Sequence, residues 1–164
     1  MRLKSISFAV LLSLGFLSLA HISCKEDKKN ITQTEVIFKK EGELQIYKTV
    51  TDSVIVALDI ELAKTDYEIQ TGLMYRDAMD THQGMLFLFD NEIERYFFMK
   101  NTRIPLDIIY INADKKIVSF QKNATPFDER SLPSNAPAKY VLEINAGLVD
   151  AWAIAVGDRI EFTE

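Results

Sequence analysis

The chain has 164 residues, 48% of them hydrophobic and 26% charged, with 6 Gly, 4 Pro, one Cys, two His and a formal net charge of −5. That composition describes one globular domain, not a disordered or fibrous chain, and a lone cysteine excludes an internal disulfide framework and any multi-cysteine zinc or iron–sulfur centre. The acidic balance argues against a nucleic-acid partner, whose phosphates require a basic face, and no metal or other cofactor is expected.

The chain opens with Arg2 and Lys4, continues as an apolar run from Ile6 to Ala20 broken only by Ser and Gly, and reaches Ser23-Cys24. Charged, apolar and small-residue zones in that order predict a secretory signal peptide over residues 1–23. The sole cysteine directly after it resembles a bacterial lipobox, which predicts lipidation of Cys24, although His21 stands where Leu is common. The alternative is an ordinary signal or anchor segment with an incidental cysteine. A lipoprotein would be held to a membrane in the cell envelope, facing the periplasm or the exterior, and His82 would be its sole histidine. Lys25 to Asn30 is a polar run of both signs, suited to a solvated tether. The tether and an N-terminal extension are assigned to 24–50, with Gly42 as a turn, and the globular domain to 51–164.

Within that domain, Val54, Val56, Leu58, Ile60 and Leu62 alternate with Ile55, Ala57, Asp59 and Glu61, the period of a half-buried strand with Asp59 and Glu61 toward water or a polar rim. Thr65-Asp66-Tyr67-Glu68 is a capping box, predicting a helix of about two turns that ends near Gly72. Gly84 to Phe89 reads as a buried strand, Asp90-Asn91 as a turn, and Tyr96 to Met99 as the start of another strand. Ile108 to Ile111 follows Pro105, which belongs at a strand start, bulge or edge, and Asn112 to Lys116 forms a hairpin turn into Ile117 to Phe120. Asn123 to Ala138, with three of the four prolines, reads as a long surface loop. Tyr140 to Ile144 is a strand, Ala146 to Ile154 helical, and Arg159 to Phe162 the closing strand. Many short strands and two short helices predict a mainly β single domain, a small barrel or rolled sheet.

The densest unusual stretch is Phe97 to Asp107, where aromatics run into Lys100-Asn101-Thr102-Arg103 and apolar residues resume around a single Asp. A buried Asp107 needs a partner, and Lys100, Arg103 and Arg76 are the candidate cations. One reading is a structural ion pair with an Asn/Thr turn bonded to its own backbone. The other is a polar pocket in which Arg76, Lys100, Asn101, Thr102 and Asp107 receive a small ligand. No Ser-His-Asp or Cys-His set and no phosphate loop is present, and Met74, Met79, Met85 and Met99 lie in apolar sequence as core residues do.

Gly72-Leu73-Met74-Tyr75-Arg76, Gly84-Met85-Leu86-Phe87, Phe98 to Thr102 with Ile104 to Asp107, and Val141-Leu142-Glu143 with Gly147 and Gly157-Asp158 resemble the signature blocks of the bacterial and archaeal family called domain of unknown function 192. The likeness covers about residues 52–163; Phe98 stands where that family commonly has Trp. It implies a compact, mostly β domain, often exported, and implies no activity. The resulting expectation is a non-enzymatic, membrane-tethered domain that binds a small molecule or an envelope protein. The alternatives are an envelope enzyme, perhaps a hydrolase using Lys100 and Asp107, and a purely structural or assembly protein.

Overall fold

Seven strands build the fold, alternating between buried and exposed side chains in the first and buried on both faces in the fourth. The computed structural model describes residues 36–164; the signal segment, Cys24 and the start of the tether lie outside them. In chain order the elements are β1 (Gly42–Tyr47), β2 (Val54–Ala63), α1 (Asp66–Thr71), β3 (Gln83–Phe97), β4 (Leu106–Ile111), β5 (Ile117–Ala124), β6 (Leu132–Asn145), α2 (Leu148–Ala151) and β7 (Arg159–Thr163). One sheet holds them all, in the order β5-β4-β6-β3-β2-β1-β7. It curls into a half-barrel, and its two edges meet at one end. There Ile117 N–H donates to Asp158 O (2.8 Å) and Ile160 N–H to Lys115 O (2.9 Å), beside a bridge between Lys116 and Arg159. The mainly β single domain read from the sequence is therefore the architecture found.

Because successive strand residues point to opposite faces, each central strand feeds two cores. Leu58, Ile60, Leu86, Ile109, Leu142 and Ile144 fill one; Met85, Phe87, Ile108, Tyr110 and Val141 fill the other, together with Met99 and Leu73. Met85 and Met99 are thus core residues.

Most strand pairs are antiparallel, but β2 and β3 run parallel, with Asp59 opposite Gln83 and Ala63 opposite Phe87. A parallel pair needs a crossover, and here it is α1 with the chain from Gly72 to His82. The capping box is present as predicted, Thr65 accepting from the Glu68 N–H and the Glu68 carboxylate from the Thr65 N–H, and Gly72 ends the helix at φ +47°. Glycine is required there twice over. The dihedral is left-handed, and a Cβ would come within 2.9 Å of Phe87 Cζ.

Four expectations are corrected. Gly42 opens β1, which pairs with both β2 and β7. Asp90-Asn91 does not turn the chain; β3 runs through it, with irregular register between Leu88 and Ile93, so the unpaired residues are absorbed as a bulge. The expected loop at 123–138 shrinks to the stretch between β5 and β6. Pro133 and Pro137 lie within β6, where β3 is the neighbour (opposite Tyr96 and Glu94) and β4 has not yet begun to pair, since its ladder spans Tyr140 to Asn145. A missing N–H is tolerated where only one edge of the strand is paired. Lastly, the helical stretch predicted at 146–154 contracts to α2, bounded by left-handed residues at Gly147 (φ +85°) and Ala153 (φ +50°).

Candidate functional site

The crossover lies against the second core and lines two cavities that share Gly72. The first, of about 380 Å³, is walled by Phe87, Phe89, Phe97 and Phe98, by Ile69, Leu73 and Met74 of the crossover, and by Thr102, with Glu143 among its lining groups. The second, of about 730 Å³, takes in Glu61, Tyr67, Tyr75, Arg76, Lys100 and Asn101. Gln70, Thr71, Gly72, Met74 and Phe98 line both.

The five sequence candidates do not form one pocket. Arg76 is 7% exposed and Glu61 6%, and Arg76 Nη2 pairs with Glu61 Oε2. Glu61 therefore turns inward, contrary to the expectation that it faces water or a polar rim, because a cation from the crossover meets it there. Its other oxygen accepts from Lys39 N–H (2.8 Å), while Arg76 Nε, buried, has no hydrogen-bond partner among the described residues.

Asn101 has φ +57° and Tyr75 φ +66°. Tyr75 N–H donates to Asn101 O (2.9 Å) and Asn101 Nδ2 to Tyr75 Oη (3.0 Å), a clasp between the crossover and the turn after β3. Asn tolerates the left-handed region better than most residues, which suits it to this position. Lys100 is exposed, with its ammonium 4.0 Å from Glu129. Thr102 is 5% exposed and belongs to the first cavity. Arg103 pairs with Asp77 (2.8 Å).

Asp107 is fully buried, and the expected cation partner is replaced by backbone. One carboxylate oxygen accepts from Asn123 N–H (2.8 Å) and the other from Val149 N–H (2.9 Å). Strand alternation puts it on the same face as Ile109, in the first core, so the side chain ties β5 and α2 to β4. Lys100 and Asp107, the pair on which the hydrolase alternative depended, do not share either cavity.

Sequence reasoning missed Glu143 as a site residue. It is 5% exposed and sits on β6 opposite Met85 of β3 and Ile108 of β4. Its carboxyl reaches the first cavity near Gly72, whose Cβ, if present, would lie 3.9 Å from Glu143 Oε2. Among the described residues no donor or cation engages this carboxyl. Burial pushes its pKa up from the ordinary 4.5 to about 8. On β4, burial first and then the Glu143 charge push the Tyr110 phenol up in turn; its hydroxyl donates to Leu132 O (2.6 Å). The signal was present in the sequence. An acid at the centre of Tyr140 to Ile144 shares the face of Val141, and an inward acid in an apolar strand is a functional candidate.

A pH dependence of stability follows. Between about pH 4.5 and 8 the folded state holds a proton on Glu143 that the unfolded chain has released, so stability falls as pH rises through that window and levels off above it. The slope is at most about 1.4 kcal/mol per pH unit. Denaturant melts at pH 5 to 8 are expected to show this decline in the wild type and a flatter profile in Glu143→Gln. Identical profiles would mean that Glu143 titrates normally.

Among the described residues no group of three or more His, Cys, Asp or Glu could hold a metal ion, and no helix is long and apolar enough to cross a membrane. The family described as DUF192, uncharacterized ACR, matches residues 47–162. A protein of unknown function from Novosphingobium aromaticivorans is 37% identical with a TM-score of 0.68, over 73% of this chain and 83% of its own. A Sinorhizobium meliloti protein described as "a putative transcription regulator" is 34% identical with a TM-score of 0.71, over 77% of this chain and 98% of its own. No curated protein matches the chain.

Proposed function

The chain belongs to the DUF192 family, whose description assigns no activity, and we propose that it is a membrane-tethered, non-enzymatic binding domain for a small, mostly apolar molecule. The observation that carries this reading is the aromatic-walled first cavity with an uncommitted buried carboxyl. At about 380 Å³ it lies in the range of small-molecule sites, which combine apolar walls with a few polar groups. The Glu143 carboxyl faces this cavity, and a ligand that brings a donor or a cation to it forms a charge-assisted bond, one of the stronger kinds of hydrogen bond.

A thermal-melting screen of the intact chain against single-ring envelope metabolites tests the reading. Binders are expected to raise the melting temperature of the wild type, since a ligand at 100 times its Kd stabilises by about 2.7 kcal/mol. Phe98→Ala, which trims a wall residue that is 44% exposed, should melt near the wild type without ligand and lose the shift. A screen without any shift contradicts the reading.

The tether rests on residues 1–24. The order of charged, apolar and small residues ahead of Cys24 supports export and lipidation, with several acyl chains needed because one alone binds only marginally. Labelling with a fatty-acid analogue is expected to mark the wild type and spare Cys24→Ala. Equal labelling of both would remove the lipid anchor from the account.

A further inference from the structure

The first cavity has chemistry that selects among ligands. We propose that it takes an organic cation, a protonated amine whose charge pairs with the Glu143 carboxylate and whose hydrocarbon lies against the rings of Phe87, Phe97 and Phe98. The proposal rests on the binding reading above and names its ligand class.

An acid enclosed by apolar groups is completed best by a cation. A ligand carboxylate would oppose it, and a neutral hydroxyl would offer the protonated acid one ordinary hydrogen bond. An ammonium offers a charge-assisted bond of roughly twice that strength and is attracted besides by the faces of aromatic rings. Among the described residues none provides that cation. Arg95, at the cavity's edge, is committed elsewhere: its Nε donates to Ala138 O (3.1 Å), its Nη2 to Asn91 Oδ1 (2.6 Å), and its guanidinium carbon lies 3.8 Å from the Phe89 ring centroid. Glu94, exposed beside it, adds a second acid at the rim, and the net charge of −5 favours the approach of cations.

The titratable groups around Glu143 are few. β3 contributes Glu94, Arg95 and Tyr96 to the cavity. From β4 comes Tyr110, bonded to Leu132 O, and from β2 Glu61, which lies across Met85 from Glu143 and is held by Arg76. The crossover contributes Gln70, Thr71, Gly72, Leu73 and Met74, none of which titrates. In the empty cavity the Glu143 carboxyl keeps its proton up to about pH 8. Binding a protonated amine therefore releases that proton to solvent and leaves an ion pair. Only the ionised fraction of the site is competent, so affinity should rise about fifty-fold from pH 6 to pH 8.

Calorimetric titrations of the intact chain with phenethylamine, 2-phenylethanol and 3-phenylpropionate, at pH 6 and pH 8, test this. Phenethylamine is expected to bind about tenfold or more tightly than the alcohol at pH 8, with the fifty-fold gain over pH 6, and the propionate to bind weakest. Glu143→Gln should lose both the preference for the amine and its pH dependence, so that the amine binds no more tightly than the alcohol. If the alcohol binds the wild type as tightly as the amine, or if Glu143→Gln keeps the pH-dependent gain, the cation proposal is overturned and the cavity reading stands. Absence of binding by all three probes overturns both.

Discussion

Arg76→Ala is expected to destabilise the fold by about 3–5 kcal/mol, the cost of leaving one member of a buried ion pair without its partner. Glu61 and Arg76 are both nearly inaccessible, so the carboxylate left behind has little water to replace the guanidinium. The pair also joins the crossover to β2, so its loss should loosen the wall of both cavities. Replacing both members by apolar residues of similar size, Glu61→Leu with Arg76→Met, should recover most of the loss, apart from the acceptor that Lys39 N–H would lose. Denaturant unfolding of the two single variants and the double variant measures this. A double variant as unstable as Arg76→Ala would show that something other than the stranded charge is lost.

Asp107→Ala should cost at least about 1–3 kcal/mol, the penalty for a buried donor left unsatisfied, because the Val149 N–H loses its acceptor, and more as the half-exposed Asn123 N–H loses its own. Asp107→Asn is the informative companion. Its amide oxygen can still accept from one N–H, but its NH₂ would face the other donor, so it should be intermediate. Ligand affinity measured where both proteins are folded should be unchanged, since Asp107 lines neither cavity. A stable Asp107→Ala chain that fails to bind ligand would reverse this assignment and return the residue to the site.

The strands were legible where period-two alternation was uninterrupted, as from Val54 to Leu62, and the helix where the Thr65–Glu68 box marked its start. Long strands were read as broken because their local signals conflict with their role in the sheet. Asp90-Asn91 has turn chemistry, yet β3 carries it across a bulge; Pro133 and Pro137 discourage a strand, yet β6 accommodates them where β4 does not reach. At the site, the acid at 107 was recognised as needing a partner. The partner was sought among cations, whereas backbone donors 16 and 42 residues away supply it, and no local pattern reports such contacts. Arg76 was found, but its tie to Glu61 depends on the crossover folding back onto β2. Glu143 stands in the sequence as one letter of a motif, although its alternation with Val141 marks it as inward-facing.

A titration of the Glu143 side-chain carboxyl carbon by nuclear magnetic resonance, with the cavity empty and then saturated with its best ligand, tests the account most directly. The uncommitted acid is expected to titrate near pH 8 in the free chain and to move its midpoint when the cavity is filled. A midpoint near 4.5 that is indifferent to any ligand would contradict the binding site.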